Sequence, residues 1–127
     1  YTPLSTTDSV MQQYTTARAE VDKWNREHPG DTPKRFHGTV MPGFDDRMIP
    51  GRTDRDDYAH YRYRRGTENF WESFAAAMAC RPEWLHVNSF NELAEHSHIE
   101  ATVEDGDKYL RLTARFAEIF KQAVWKI

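Results

Sequence analysis

Three stretches of the chain place apolar residues three or four positions apart, the spacing that gives an α-helix one apolar face. They cover residues 7–27, 67–80 and 105–124 of the 127 residues. The pattern predicts three amphipathic helices, with Trp24 and Trp71 in the core. The apolar stripes are Val10, Tyr14, Ala17, Val21 and Trp24 in the first, Phe70, Phe74 and Met78 in the second, and Tyr109, Leu112, Phe116, Phe120 and Ala123 in the third.

Two short apolar runs lie between the predicted helices. Residues 35–41 and 84–90 are each followed by turn-forming or polar residues, so each is predicted to be a β-strand. The second run is apolar enough to be covered on both faces. Strands that alternate with helices favour parallel pairing through crossover helices. Residues 44–66 show no periodicity and are predicted to form a long structured loop.

The predicted elements give an α/β fold class but not a complete domain. Two strands cannot form a stable sheet alone, and each would leave an edge unpaired. A complete (β/α)8 barrel needs about 200 to 250 residues. We therefore interpret residues 1–127 as a single segment of a larger α/β unit, whose remaining strands come from a separate chain or from a second copy. The alternative is a smaller α/β arrangement.

Composition excludes several functional classes. The net charge of −3 argues against a nucleic-acid partner, because phosphate binding needs a basic surface. No apolar run approaches the ~20 residues of a membrane-spanning helix. The single cysteine, Cys80, excludes an internal disulfide and does not indicate a compartment.

Ionisable and amide side chains cluster where each predicted strand ends. Asp45 and Asp46 follow the first strand, and Asn91, Glu92 and Glu95 follow the second. Active sites of α/β proteins form at the carboxyl ends of the strands. Glutamates are most often exposed on loops, which favours a surface loop here. The position at a strand end favours a functional site, so the two interpretations are equally good.

The same residues resemble a known motif. NSFNELAEHSHIE at residues 88–100 resembles the pattern N/T-S-F-N-E-W-x-E-G-T-x-I-E-P of glycoside hydrolase family 99, the endo-α-mannosidases, and of family-99-like proteins of bacterial polysaccharide clusters. MPGFDDR at 41–47 is similar to the family segment S-P-G-Y-x-D-T/R, and GDKYL at 106–110 to G-D-K/R-Y-L. The resemblance covers residues 36–120 and includes Tyr61, Tyr63, Phe70, Trp71 and Ala75 to Ala77.

This resemblance implies a fold and an activity. The fold is a (β/α)8 barrel, of which the chain holds the last two strands and three helices. The activity is retaining cleavage of internal α-mannosidic links through a 1,2-anhydro sugar, with no cofactor or catalytic metal. By position, Glu92 removes the proton of the sugar 2-hydroxyl, and Glu95 protonates the leaving oxygen and later activates water. The other residues expected to bind the oligosaccharide or polysaccharide are Asn88, Asn91, Asp45, Asp46, Tyr61 and Glu100.

The carboxylate pair sets a geometric condition. One carboxyl group must be ionised and the other protonated, so their surroundings must separate the two pKa values. Residues i and i+3 of an extended strand point to opposite faces, so Glu92 and Glu95 converge only if the chain turns between them. His96 and Ser97 stand where the family has Gly-Thr, and a tight turn there must accommodate a side chain. Leu93 replaces the family tryptophan, which removes a stacking surface.

Several alternatives stay open. His86, His96 and His98 could bind a metal, although spacing alone does not provide convergent ligands. The chain could bind a polysaccharide without turnover. It could also be a structural fragment that is active only with the remaining N-terminal part of the barrel or with a self-associating copy.

The predicted loop also has two interpretations. Its tyrosines could stack against a sugar or could anchor the loop, and they are Tyr58, Tyr61 and Tyr63. Its aspartates are predicted to form ion pairs with its arginines rather than to bind calcium, because no EF-hand spacing is present. These charged residues are Asp45, Asp46, Asp54, Asp56 and Asp57 with Arg47, Arg52, Arg55, Arg62, Arg64 and Arg65.

Overall fold

The computed structural model describes residues 2–3, 7–51, 60–123 and 125. In chain order the elements are β1 (Thr2–Pro3), α1 (Thr7–Glu27), β2 (His37–Val40), β3 (Phe44–Asp45), β4 (His60–Arg62), α2 (Glu68–Ala79), β5 (Trp84–Val87) and α3 (Lys108–Lys121).

The three predicted helices are confirmed, whereas both predicted strands are longer than the observed ones. β2 begins at His37 because the preceding amide, that of Phe36, donates to the Glu83 carboxylate at 2.7 Å instead of to a strand. β5 ends at Val87 because the chain then bonds to itself, the Ser89 amide donating to the Ser97 carbonyl at 2.9 Å.

β2 and β5 form a parallel pair joined through α2, which confirms the predicted crossover. The register runs from His37 beside Trp84 to Val40 beside Val87. A Cβ atom added at Gly38 would lie 2.8 Å from Cβ of Ala77, so the missing side chain lets α2 approach β2 closely. The buried core comprises Val40, Phe70, Phe74, Ala77, Ile99, Tyr109 and Phe116.

Within this chain, β5 is covered on one face and open on the other. Successive side chains of a strand alternate between faces, and Trp84 of β5 is 58% exposed while His86 is also exposed. The ring of Trp84 stacks on the exposed ring of His37, with 4.8 Å between centroids. We call the surface formed by His37, Trp84 and His86 the open face.

The predicted loop at residues 44–66 contains regular structure. β3 pairs antiparallel with β4, so that Asp45 lies beside Tyr61, and β1 pairs parallel with β4 on its other side. The sequence pattern missed these strands because two or three residues are too few to show a period. Residues 52–59 of the predicted loop lie outside the described residues. They include Tyr58 and the charged residues Arg52, Asp54, Arg55, Asp56 and Asp57, for which ion pairs were predicted.

Two tryptophans were predicted to be core residues, with different outcomes. Trp24 is half-buried and stacks on His28, while the Lys34 ammonium lies 4.2 Å from its ring centroid. Trp71 is 40% exposed, so its assignment to the core is wrong, although its ring contacts Phe116 edge-on. Among the described residues, no helix has the length and apolar character needed to cross a membrane.

Candidate active site

The structure brings together the two segments that follow β2 and β5. The Asp45 amide donates to the Glu95 carbonyl oxygen at 2.7 Å, and the Asn88 amide donates to the Val40 carbonyl at 2.9 Å. Parallel strands end at the same edge of a sheet, which explains why segments 45 residues or more apart in the chain can meet. The two predicted clusters therefore lie side by side.

The chain reverses direction between Glu92 and Glu95, as the carboxylate pair requires. The His96 amide donates to the Leu93 carbonyl at 3.0 Å, and the Ser97 amide donates to the Glu92 carbonyl at 3.3 Å. We call residues 88–100 the acidic turn. The structure thus confirms the turn that the sequence analysis set as a condition.

His96 is the residue on which this reversal depends. Its φ of 51° lies in the left-handed region, which few residues other than glycine adopt. The family pattern has glycine here, and the sequence predicted that the turn must accommodate a side chain. The prediction is confirmed, because the turn forms with the exposed side chain of His96 at this position.

The predicted site residues differ in exposure. Glu92 and Asn91 are exposed, whereas Glu95, Glu100 and Asn88 are half-buried. Asp46 is buried, and its carbonyl accepts the Ile49 amide at 3.0 Å. The acidic turn therefore presents Glu92 to solvent and holds Glu95 closer to the protein.

The carboxylate of Asp45 is held by Arg47. Their closest oxygen and nitrogen lie 2.6 Å apart, and a second contact joins Arg47 Nε to Asp45 Oδ1 at 2.8 Å. These hydrogen bonds hold the pKa of the Asp45 carboxyl below its ordinary value. The guanidinium lies 4.3 Å from the Tyr61 ring centroid and donates to Tyr63 Oη at 3.1 Å. These contacts favour the anchoring interpretation of Tyr61, because Arg47 covers one face of its ring.

The other described arginines of the predicted loop pair outside it, which corrects the predicted pairing. Arg62 and Arg65 contact Glu72 on α2, and Arg64 contacts Asp105. Arg62 and Arg65 therefore have an acidic partner on α2, and Arg64 has one in the loop before α3. Sequence distance does not reveal such partners.

Two polar residues of α2 position the segment after β2, and sequence reasoning missed both. Asn69 is fully buried and donates to the Met41 and Pro42 carbonyls, at 3.0 Å each. Its side-chain oxygen accepts from Arg62 Nε. Ser73, one turn later, accepts from the Met41 amide at 3.1 Å. The available signal was a pair of polar residues at i and i+4 beside the apolar stripe.

A cavity of about 160 Å³ lies beside these segments. Glu92 and Glu95 are both described, but neither lines it. Among the described residues, no three His, Cys, Asp or Glu side chains converge as a metal site. The cavity is lined by Phe44, Asp45, Arg62, Tyr63, Arg64, His96, His98, Glu104 and Asp105.

Solved structures resemble this arrangement, although no protein-family model and no curated protein matches the chain. One structure is the GH99 endo-α-mannosidase from Bacteroides thetaiotaomicron in complex with Bis-Tris propane, with a TM-score of 0.69 and 23% identity over 90% of this chain. The chain shares its fold with part of this enzyme. A second structure of the GH99 endo-α-mannosidase from Bacteroides thetaiotaomicron gives a TM-score of 0.65 and 22% identity over 91% of this chain.

The shared region is a minor part of the GH99 endo-α-mannosidase. The chain spans 36% of the first matched chain and 35% of the second. The resemblance predicted from the acidic turn is therefore confirmed by a likeness of folds that covers nine-tenths of this chain.

Proposed function

We propose that the chain forms the last two strands and three helices of a (β/α)8 barrel in a retaining glycoside hydrolase that acts on internal α-linked glycans, such as mannans. Three features support this proposal: the fold shared with GH99 endo-α-mannosidase structures, the parallel pairing of β2 with β5, and the motif at residues 88–100. Barrel enzymes build their sites at this end of the strands.

Glu92 and Glu95 are the proposed catalytic pair. The observation that carries the proposal is the hydrogen bond from the Asp45 amide to the Glu95 carbonyl, which joins the ends of both strands at the acidic turn. Glu92 acts as the base on the sugar 2-hydroxyl, and Glu95 acts as acid and then as base. This chemistry uses two carboxyl groups and needs no cofactor.

The substrate contacts follow from the same arrangement. Asn91 lies next to Glu92 on the exposed side of the turn, where a polysaccharide can reach it. Asp45 and Tyr61 lie at the proposed rim, where both contact Arg47. Asp46 belongs to the proposed set by its place in the MPGFDDR segment, and its side chain is buried. Asn88 and Glu100, both half-buried, complete the proposed set at the two ends of the acidic turn.

The remaining strands of the barrel are the proposed protein partner, either as the N-terminal part of the enzyme or as a second copy. The exposed ring of Trp84 on the open face supports this proposal, because interiors of barrels are filled by side chains of all eight strands. The chain is then active only when this face is covered.

A second candidate function is polysaccharide binding without turnover. It is favoured by the exposure of Glu92 and by the position of Leu93, which is 47% exposed where the family pattern has tryptophan. Acid–base catalysis by a carboxylate pair needs different surroundings for the two groups, whereas polysaccharide binding makes no such demand.

Glu92→Gln and Glu95→Gln test the proposal on α-linked mannan oligosaccharides. The protein assayed is the longest natural polypeptide that contains these residues, and released reducing ends and their anomeric configuration are measured. We expect each variant to lose roughly 100-fold or more in kcat. Glu118→Gln, an exposed glutamate on α3, serves as the control and should keep full turnover.

The outcomes separate the two functions. Retained turnover in both site variants contradicts the catalytic assignment. A wild-type protein that binds the oligosaccharide in calorimetry but never cleaves it supports the second candidate instead.

A further inference from the structure

Arg64 connects the acidic turn to the rest of the fold. It lies two residues after β4, and its side chain is 16% exposed. Nε donates to the His96 carbonyl at 3.2 Å, and Nη2 donates to the His98 carbonyl at 2.6 Å. One planar guanidinium therefore holds two backbone carbonyls on the returning side of the turn that carries Glu95.

The position of Arg64 is itself set by the core. Its guanidinium carbon lies 4.3 Å from the ring centroid of Tyr109, a fully buried residue of α3, and Nη1 lies 3.5 Å from Asp105 Oδ2. A Cβ atom added at Gly43 would lie 2.6 Å from Cγ of Arg64, so the segment after β2 packs directly on the arginine stem. Arg64 thus touches both strand-end segments and the start of α3.

His98 must be neutral for this contact to exist. Its Nδ1 lies 3.0 Å from Arg64 Nη2, and guanidinium nitrogens only donate hydrogen bonds. Nδ1 is therefore the acceptor, and the ring proton is on Nε2. Since His98 is 8% exposed, a second proton would place a buried cation against the guanidinium.

We propose that Arg64 is a positioning residue that fixes the acidic turn against β3 and α3, and that it does so only while His98 is neutral. The effect on Glu95 chemistry rests on the proposed function. The effect on the turn itself does not, because it follows from the contacts of Arg64 alone.

The charged groups around His98 determine the pH at which the contact is lost. Arg64 faces it from the segment after β4 and Asp105 from the loop before α3, while His96 and Glu100 belong to the turn. Burial is the largest effect and, with Arg64, keeps the pKa of His98 below its ordinary value despite the two carboxylates. Because this pKa is lowered on folding, the stability that His98 contributes is present above pH ~6.5 and is lost as the pH falls from there through the folded-state pKa.

Hydrogen exchange of the backbone amides tests the proposal without any assay of activity. In Arg64→Gln we expect amides of residues 88–100 and of Asp45 to exchange roughly tenfold faster, while amides in the middle of α2 keep their protection. Arg65→Gln is the matched control, because Arg65, the next residue, forms ion pairs with Glu68 and Glu72 on α2. Unchanged protection of the acidic turn in Arg64→Gln, or equal losses in both variants, overturns the proposal.

His98→Gln tests the requirement for a neutral ring and serves if Arg64→Gln does not fold. Glutamine offers an acceptor that does not titrate. In the wild type, protection of the turn, corrected for the intrinsic pH dependence of exchange, should fall as the pH drops below ~6.5. In His98→Gln it should stay level over the same range. An identical pH dependence in both proteins contradicts the proposal.

Kinetics then connect the positioning to catalysis. If the protein hydrolyses glycans, Arg64→Gln should lower kcat with little change in KM, and Arg64→Lys should not restore it, because an ammonium cannot hold two carbonyls in one plane. Full kcat in Arg64→Gln contradicts the catalytic part. If the wild type shows no turnover, the proposed function fails while the exchange data still decide the role of Arg64.

Discussion

At the scale of single residues, the segment after β2 depends on a buried amide that no sequence pattern identifies. Asn69 satisfies two backbone carbonyls and one arginine nitrogen at a site closed to water. A buried polar group without a partner costs more than its hydrogen bond contributes. The side chain of Asn69 therefore contributes more to the free energy of unfolding than its position on a helix suggests.

We expect Asn69→Leu to lower the free energy of unfolding by about 2 to 4 kcal/mol, because the Pro42 carbonyl loses this donor and Arg62 Nε loses its acceptor. Asn25 gives a matched control. Its side chain also makes two hydrogen bonds to the backbone, both with Lys34, but these lie in contact with solvent. Asn25→Leu should cost about 1 kcal/mol or less. Urea denaturation measures both, and equal losses would show that burial is not the deciding factor.

The residues of the acidic turn could be read from the sequence, and the residues that hold it could not. The i, i+3 spacing of Glu92 and Glu95 required a turn, and His96 provides it with a positive φ. Arg64 contacts residues 32 or more positions away. Partners at that distance depend on tertiary packing, such as the contact of Arg64 with Tyr109 of α3, which local pattern does not encode.

At the scale of elements, hydrophobic periodicity predicted the long helices and missed the shortest strands. α1 was predicted to begin at about residue 7 or 8 and to end at about residue 27, and it spans Thr7–Glu27, because about six turns of apolar spacing give a clear period. β3 and β4 were missed because strands of two and three residues show none. The crossover between β2 and β5 was predicted from the order of the elements. The close approach of α2 to β2 at Gly38 was not predicted.

That approach can be tested at Gly38. The Cβ of Gly38→Ala would lie 2.8 Å from Ala77 Cβ and 3.3 Å from Leu85, so α2 must shift, and we expect a loss of about 1 to 3 kcal/mol in unfolding free energy. Gly30→Ala is the control, because nothing lies within 4 Å of its added Cβ. It should be neutral or slightly stabilising, since alanine restricts the unfolded chain. Thermal unfolding measures the change in unfolding free energy of both variants. A neutral Gly38→Ala would mean that the helix and strand are loosely packed.

At the scale of the whole molecule, the open face leaves one side of the β2–β5 pair uncovered by the described residues. Trp84 exposes more than half of its surface beside a stacked histidine. Apolar surface of this kind is usually covered, since each Å² removed from water contributes about 25 cal/mol. The matched GH99 structures are almost three times longer than the region that they share with this chain.

The open face therefore predicts an association that Trp84→Lys should abolish. In sedimentation velocity, the wild-type chain should form larger species as its concentration rises, or bind a polypeptide that carries the missing strands, because either covers the exposed ring. A lysine there places a charge in the covered surface, at a cost of several kcal/mol. Val103→Lys replaces another exposed apolar residue, one that lies before α3 and away from the sheet, and should leave the association unchanged. A wild-type chain that stays monomeric, melts cooperatively and hydrolyses glycan alone would show that the open face needs no partner and that the chain is a complete small fold.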